Sequence, residues 1–420
     1  MPKKRILFVD DEPNILAGLK RMLRSLRKEF DLQFAENGKE ALAIMESTEF
    51  DVVVSDMRMP GLDGAQLLTE IQEKYPYSIR IMLTGQAQEE SVLRTVGIVH
   101  QFLAKPCEPK HLKAVLLRAS CLHDLISHAS LKKIVSRLGT LPSLPEVYAK
   151  LRKAITDPEV SIADVAAIIE EDMAMSAKVL QLVNSAFFGL FQKVDSPARA
   201  VTLLGLETVK NLVLGVGAFS EIKTSSKLFP VKRLWAHSMT VAACAKKIAM
   251  NESDDKELID HCFIAGLLHD IGKLLLLSQM VDKYEQAVQL AEEKDICLCR
   301  AEKEIFDTVH GDIGAYLMGL WGMPGAVVEA IGFHHRLDDY PDTSFNPVIA
   351  VHAANSIYYE NHPNSIIGAP HEINRARLQA LGLGDKFEQW RELCAELLEQ
   401  DGESDPRKLN KPLSGKPATF

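Results

Sequence analysis

The strongest constraint on this chain is a pattern in its first 119 residues, where short, wholly apolar runs alternate with stretches of helical periodicity. Ile6 to Val9, Val52 to Val54, Ile79 to Leu83 and Phe102 to Leu103 are brief and apolar enough to be strands buried on both faces. Between them, a helix from Asn14 carries Ile15, Leu16, Leu19, Met22, Leu23 and Leu26 on one face, and further helices fit Ala41 to Met45, Ala65 to Lys74 and Pro109 to Leu117. Strands that alternate with helices bury such runs in a parallel sheet covered on both sides. The expected fold of this segment is a doubly wound α/β unit with five parallel strands.

The pattern then changes. Residues 120–140 continue as helix and stop at Gly139, a good helix terminator, so 121–140 reads as a helical linker after a first domain over 1–120. The two prolines of LPSLP (Leu141 to Pro145) break that helix. From there helical periodicity persists to about Leu383, giving an all-α second unit over 141–385. Phe387 to Gln400 fits one more helix, and the polar segment Asp401 to Phe420 reads as a disordered tail, closing a final region over 386–420.

Charge obeys the same division. The chain of 420 residues carries a net charge of −9, yet its first 119 residues hold 17 basic and 17 acidic side chains, so the acidic excess lies entirely beyond residue 119. That balance argues against an extended surface for nucleic acid or anionic membrane. The basic run Arg21, Arg24, Arg27 and Lys28 reads as a solvated face of the first helix. Seven scattered cysteines without a CxxC pair read as reduced thiols of a cytoplasmic protein, and Cys297 with Cys299 do not complete a tetrahedral metal site. No stretch reads as a signal peptide or a membrane span, so no membrane insertion is expected.

Chemistry concentrates at the ends of the first unit's strands. Asp10 and Asp11 follow the first strand, Asp56 ends the third, Thr84 the fourth, and Lys105 follows the fifth. In a parallel sheet these positions share the carboxyl-terminal edge, where open α/β sheets bind ligands. Three carboxylates crowded there repel one another unless a hard cation intervenes, and Mg2+ with oxygen ligands is the usual solution. Phosphoryl transfer to a carboxylate needs that metal, together with a cation and a hydroxyl such as Lys105 and Thr84 supply.

This segment resembles the response-regulator receiver domain through VDDEPN (Val9 to Asn14), SDMRMPGLDG (Ser55 to Gly64), LTG (Leu83 to Gly85) and LAKP (Leu103 to Pro106). The resemblance implies a flavodoxin-like fold and a phosphoacceptor at Asp56. It implies Mg2+ held by Asp10, Asp11, Asp56 and the backbone carbonyl of Arg58, with Thr84 and Lys105 touching the phosphoryl group. Phe102 stands at the family's aromatic switch position, where Tyr is common. A cognate histidine kinase is the implied partner. Phosphorylation would draw Thr84 inward, turn the aromatic ring and alter the face made by the fourth helix, fifth strand and fifth helix, through which receivers commonly form homodimers. The fifth helix would connect that change to the linker.

The second unit is marked by histidines. In GLLHDIGK (Gly266 to Lys273), adjacent His269 and Asp270 sit among Leu267, Leu268 and Ile271 on what reads as one helix. A buried carboxylate beside an imidazole is satisfied either by a divalent transition metal or by hydrogen bonds to protein groups, and the sequence leaves both open. The motif resembles the HD superfamily of metal-dependent phosphohydrolases, whose ligand order is His, HisAsp and a later Asp. His237, His269 and Asp270 match the first three, whereas Asn355 stands where the last Asp is expected. Asn keeps an oxygen donor and loses the charge, which weakens metal binding and activation of bound water.

A closer resemblance covers roughly residues 141–360. LPSLPEV (Leu141 to Val147), VLQLVNSAFFG (Val179 to Gly189), SPARAVTLLG (Ser196 to Gly205) and the FHH of Phe333 to His335 resemble the HDOD domain, an HD-related output module found behind receivers in bacteria. Met173 replaces the more usual Pro of that family. Asn184 and Ser185 read as capping or turn residues. His310, His334 and His335 also resemble the second metal-binding set of the HD-GYP enzymes that cleave cyclic di-GMP, although Asp339 stands where Gly should precede Tyr340 and Pro341. The expectation is an output module that works by binding a downstream protein, without catalysis and without direct nucleic-acid contact. The alternative is a metal-dependent HD-type phosphodiesterase controlled by the receiver.

Overall fold

The structure is a computed structural model that describes residues 3–84, 95, 98–107, 109–125, 142–143, 145–155, 157, 159–184, 194–206, 209, 220–221, 231–342, 344–362 and 375–403. Most of the expected linker, the SAFFG portion of the VLQLVNSAFFG motif and the tail beyond Glu403 lie outside the described residues. So does the stretch Asn211 to Phe219, which reads as helix core in the sequence.

The first unit is a five-stranded parallel sheet in the order β2-β1-β3-β4-β5, formed by β1 (Lys4–Val9), β2 (Phe30–Ala35), β3 (Val52–Asp56), β4 (Ile79–Thr84) and β5 (Gln101–Ala104). Register is continuous across it: Phe8 pairs with Phe34 and with Val54, Val54 with Ile81, and Met82 with Phe102. Period-2 alternation sends Leu7, Val9, Val53, Met82 and Phe102 to one face, against α2 (Gly38–Ser47) and α3 (Gly64–Lys74). Ile6, Phe8, Val52, Val54, Ile81 and Leu103 go to the other, against α1 (Pro13–Met22) and α4 (Pro109–Leu125). The helix counted fifth in the sequence reading is α4 here, because the helix expected between β4 and β5 falls outside the described residues.

Two local expectations are corrected. The first helix ends at Met22, and Arg24–Lys28 forms a separate 3-10 turn, so Leu26 and most of the basic run are not on α1. Strand β2 is absent from the apolar runs of the sequence because it is an edge strand whose Asp31 is exposed and whose Leu32, Gln33 and Phe34 are half-buried. A strand wet on one side has no reason to be continuously apolar.

The second unit is built from helices: α5 (Pro145–Ala154), α6 (Ile162–Glu170), α7 (Met173–Val183), α8 (Pro197–Leu204), α9 (Val231–Glu252), α10 (Lys256–Leu268), α11 (Ile271–Gln279), α12 (Val281–Lys294), α13 (Leu298–Phe306), α14 (His310–Leu320), α15 (Gly325–Phe333), α16 (Pro347–Asn361), α17 (Arg375–Ala380) and α18 (Lys386–Glu403). It is not purely helical, since two-residue strands β6 (Pro142–Ser143) and β7 (Ser220–Glu221) pair in parallel. Asn184 bridges to Val194, donating to its carbonyl at 2.5 Å and accepting from its N–H at 2.7 Å. The stretch Lys256–Gln279 is long and apolar enough to cross a membrane, but it is broken after Leu268 and 83% of its most apolar window is buried inside the fold.

The two units share one apolar core. The sheet face under α1 and α4 is continuous with the packing of the helices, and α4 lies against α14. On the other side of the helical unit, α9 packs on α10, α16 and α18, where buried Glu252 accepts from Trp390 Nε1 at 2.9 Å and pairs with Lys386.

Candidate functional site

Two clusters of titratable side chains stand out, one in each unit. At the carboxyl edge of the sheet, Asp10, Asp11 and Asp56 bring carboxylate oxygens within 4.8 Å of one another. Lys105, the residue after β5, reaches back with its Nζ 2.7 Å from Asp10 Oδ2 and 2.6 Å from Asp56 Oδ1. Asp10 is fixed in turn by accepting from the Glu12 N–H at 3.0 Å. Gly64 lets α3 start against this edge: a Cβ there would lie 2.0 Å from the Asp56 carbonyl oxygen. Thr84 and Phe102 are both buried beside the pocket's strands, and Arg58 follows in the exposed turn after Asp56.

Among the described residues, ion pairs at this pocket's carboxylates run to Lys105. Burial pushes the Asp56 carboxyl up from its ordinary value, the Lys105 hydrogen bond and charge pull it back, and Asp10 pushes it up again, leaving it raised. Lys105 loses ground to burial and regains more from hydrogen bonds and charges of Asp10 and Asp56, so it is also raised and stays an ammonium. One shared lysine cannot satisfy three carboxylates. The donor set is all oxygen and sits at an accessible edge, which fits Mg2+.

The second cluster is assembled from four helix ends and the second turn of α9. His237 comes from α9, and α14 starts with His310. His334 and His335 follow α15. The expectation that His269 and Asp270 share a helix is corrected: they form the break between α10 and α11, where His269 ends one helix and Asp270 caps the next. That break aims both side chains inward. His237, His269, Asp270, His310 and His334 are all at most 1% exposed.

Asp270 is the hub. Its Oδ2 lies 3.5 Å from the Nε2 of both His237 and His269 and 2.8 Å from Lys273 Nζ; its Oδ1 lies 3.2 Å from His310 Nε2 and 3.9 Å from His334 Nε2. The Nε2 atoms also pair, at 3.1 Å for His237 with His269 and 3.3 Å for His310 with His334. The opposite ring nitrogens set the tautomers. His269 Nδ1 faces the Gly266 carbonyl, His334 Nδ1 the Ile331 carbonyl and His310 Nδ1 the Glu302 carboxylate, each at 2.7 Å. Carbonyls and carboxylates cannot donate, so these three Nδ1 atoms carry hydrogen and their Nε2 atoms point at the hub, an arrangement shared with metal-ligating histidines.

Burial holds His237, His269 and His334 below the ordinary histidine value, so they are neutral. Burial opposes the charge on His310 as well, but the Glu302 carboxylate overcomes it and raises His310 well above that value. Asp270 is held well below the ordinary carboxylate range: burial works against this, and its interactions with His269, the Lys273 ammonium and His310 prevail. Without an ion, the ammonium of Lys273 and the imidazolium of His310 balance Asp270 and Glu302.

The cluster also fits a metal. A tetrahedral ion with bonds of about 2.0–2.1 Å spaces its ligands about 3.3–3.4 Å apart, close to the separations between these atoms. Asp270 Oδ1 accepts no aligned hydrogen bond. The four ligand atoms of Asp270, His310, His334 and His335 lie within 4.8 Å of one another, as do those of His237, His269 and Asp270. Asn355 lies on α16, one turn before Tyr359, whose ring is 5.3 Å from that of His237; its Oδ1 is buried without a hydrogen-bond partner.

Three members of this cluster were missed by sequence reasoning. Glu302 orients His310, also accepting from its backbone N–H at 2.8 Å. Lys273, three residues after Asp270, was legible in HDIGK as a same-face neighbour. Cys299, read as an inert thiol, places its Sγ 3.9 Å from His310 Nδ1.

Known proteins divide along the same line. The family model for the response regulator receiver domain matches residues 6–117, and the one for the HDOD domain matches residues 141–337. A receiver domain solved from an HD domain-containing protein of Pseudomonas fluorescens Pf-5 is 31% identical, with 29% of this chain and 98% of that one covered and a TM-score of 0.28. With both family models matched, the chain belongs to the response regulators of two-component systems. Within that class it is one whose receiver is followed by an HDOD domain. A protein of Treponema pallidum (strain Nichols), described as uncharacterized, is 30% identical over 217 residues, 52% of this chain and 42% of that protein. The transcriptional regulatory protein ResD of Bacillus subtilis (strain 168) is 36% identical over 125 residues, 28% of this chain and 49% of ResD. The chain thus spans less than half the length of either of these two relatives.

Proposed function

We propose that Asp56 accepts a phosphoryl group from a cognate histidine kinase, and that the helical unit passes the resulting state to a downstream protein without turning over a substrate. A carboxylate oxygen of Asp56 attacks phosphorus, the bond to the kinase's imidazole nitrogen breaks, and the imidazole leaves with the electron pair. Asp10, Asp11, Asp56 and the Arg58 carbonyl would hold Mg2+, whose charge neutralises the phosphoryl oxygens. Lys105 then moves from pairing carboxylates to holding a phosphoryl oxygen, and the Thr84 hydroxyl donates to another. Phe102, on the strand beside Thr84, is the ring that would turn. The observation that carries this reading is the single lysine shared by Asp10 and Asp56 at an edge with three carboxylates. Asp56→Asn is expected to abolish incorporation of label from acetyl phosphate with Mg2+; retained label would put the phosphoryl group elsewhere. The same reading includes a cytoplasmic location, homodimerisation, and neither nucleic-acid contact nor membrane insertion.

A second reading concerns the histidine cluster, and the ligand geometry around Asp270 favours it. It holds a divalent transition metal between Asp270, His310, His334 and His335, or between His237, His269 and Asp270. All these ligands except the half-buried His335 are sealed from solvent, and Lys273 already lies on Asp270, features of a closed site rather than one with a position free for substrate. This supports holding a metal over hydrolysing a cyclic dinucleotide. Metal analysis of the purified protein tests it: stoichiometric metal is expected in the wild type, with its loss in His334→Ala for the first ligand set and in His269→Ala for the second; metal-free wild type sinks it.

A further inference from the structure

Helix α14 touches both clusters' surroundings. Its first residue is His310, whose ring stands between Asp270 and Glu302. Two turns on, the Tyr316 phenol lies within electrostatic reach of Arg80, a guanidinium buried in β4. At its far end the Gly319 carbonyl accepts from Gln101 Nε2 of β5 at 3.1 Å, and α4 packs along it. Gln101 adjoins Phe102, and α4 begins four residues after Lys105. One helix of 11 residues, about 16 Å long at about 1.5 Å per residue, therefore runs from the histidine cluster to the amino-terminal end of β5, the strand whose other end leads to Lys105, and to α4.

The near end of α14 is gripped by backbone. A Cβ on Gly272 would lie 2.0 Å from the His310 carbonyl oxygen, one on Gly311 3.0 Å from the Ile331 carbonyl oxygen, and one on Gly314 3.0 Å from the side chains of Ile271 and Ile331. The Ile331 carbonyl is also the acceptor for His334 Nδ1. Helix α14 cannot shift along its axis without disturbing the tautomer-setting contacts of His310 and His334. Close-packed elements of this kind respond as units rather than by local give.

We infer that α14 couples the phosphorylation state of Asp56 to the arrangement of the histidine cluster, with Gln101 and α4 as the receiver's docking face for it. Coupling free energies are reciprocal, so a change at His310 also alters the receiver. The forward direction rests on Asp56 being the phosphoacceptor; the reverse direction does not.

Hydrogen exchange on the full chain tests both. With Mg2+ and beryllofluoride, exchange in residues 310–320 and 331–335 is expected to change about fivefold or more, the low end of measured allosteric couplings. A change confined to residues 3–125 would overturn the coupling. No change even in β3 to β5 would instead mean that the phosphoacceptor assignment has failed, and the reverse arm then decides. Gly311→Ala, which presses α14 away from Ile331, is expected to alter exchange in residues 101–104 and 109–117 without any phosphoryl analogue. An effect limited to 310–335 would overturn the proposal. Should that variant not fold, Gln101→Ala removes the bond to Gly319 and is expected to change exchange at 331–335; unchanged exchange there has the same meaning.

Discussion

The carboxylate pocket at the sheet edge and the histidine cluster both gather ionisable groups and treat them in opposite ways. At the sheet edge Asp10 and Asp56 share Lys105 beside a third carboxylate, Asp11, and the half-buried Asp11 and Lys105 open the edge to solvent. Among the helices Asp270 is surrounded by Lys273 and an imidazolium, Glu302 is paired with His310, and solvent is excluded. The first arrangement leaves negative charge uncompensated where an ion and a phosphoryl group can arrive. The second cancels its own charge. An open, unbalanced site acts on what diffuses to it, whereas a closed, balanced one changes only when the helices around it move.

Breaking each site should therefore have different consequences. Asp56→Asn leaves the fold intact and removes phosphorylation altogether, the largest functional effect expected, read as loss of label. Asp270→Ala strips the hub from a buried network and removes the carboxylate that Lys273 and His310 both face; a loss of about 3–5 kcal/mol of stability is expected from chemical denaturation. A loss below about 1 kcal/mol, as for an exposed pair, would show that the cluster is not the sealed network described.

Acid should separate the sites more gently. His237, His269, His334 and His352 are held below the ordinary histidine value of 6.5 by burial, so the unfolded chain takes up protons there that the folded one does not. Stability is lost as pH falls below about 6.5, by about 1.4 kcal/mol per pH unit for each such histidine. His310 runs the other way: its raised value contributes stability that is complete below 6.5 and fades at higher pH, so it does not offset the loss in acid. Melting temperatures between pH 7.5 and 5.5 check the sign, and a melting temperature that holds or rises toward pH 5.5 would contradict it. The smallest effect is at Lys105, whose replacement by Met removes a partly exposed pair; stability should change by about 1 kcal/mol or less while Mg2+-dependent phosphorylation falls steeply.

How much of this was legible in the sequence depended on whether a feature is local. The buried strands announced themselves as apolar runs, and topology then carried Asp10, Asp56, Thr84 and Lys105 to one edge, because a parallel sheet leaves no other place for them. The histidines could be named one by one, but not what holds them. Glu302 sits on a different helix from His310 and meets it because the chain turns at Asp307, whose φ is 55°, between α13 and α14. Likewise Gln101 and Gly319 are separated by 218 residues, and no periodicity links them. The break between Leu268 and Ile271 was hidden because HDIG, flanked by leucines, reads as uninterrupted helix.

The apolar core that passes without a gap from under the sheet into the helices bears on how such a protein could be taken apart or recombined. A receiver cut away after α4 would expose the surface that α14 covers, and a foreign receiver placed there would have to match that surface side chain for side chain. Sequence boundaries mark this chain as two modules, yet in melting it should behave as a single cooperative unit, and exchanging its parts becomes a problem of repacking rather than of choosing a linker.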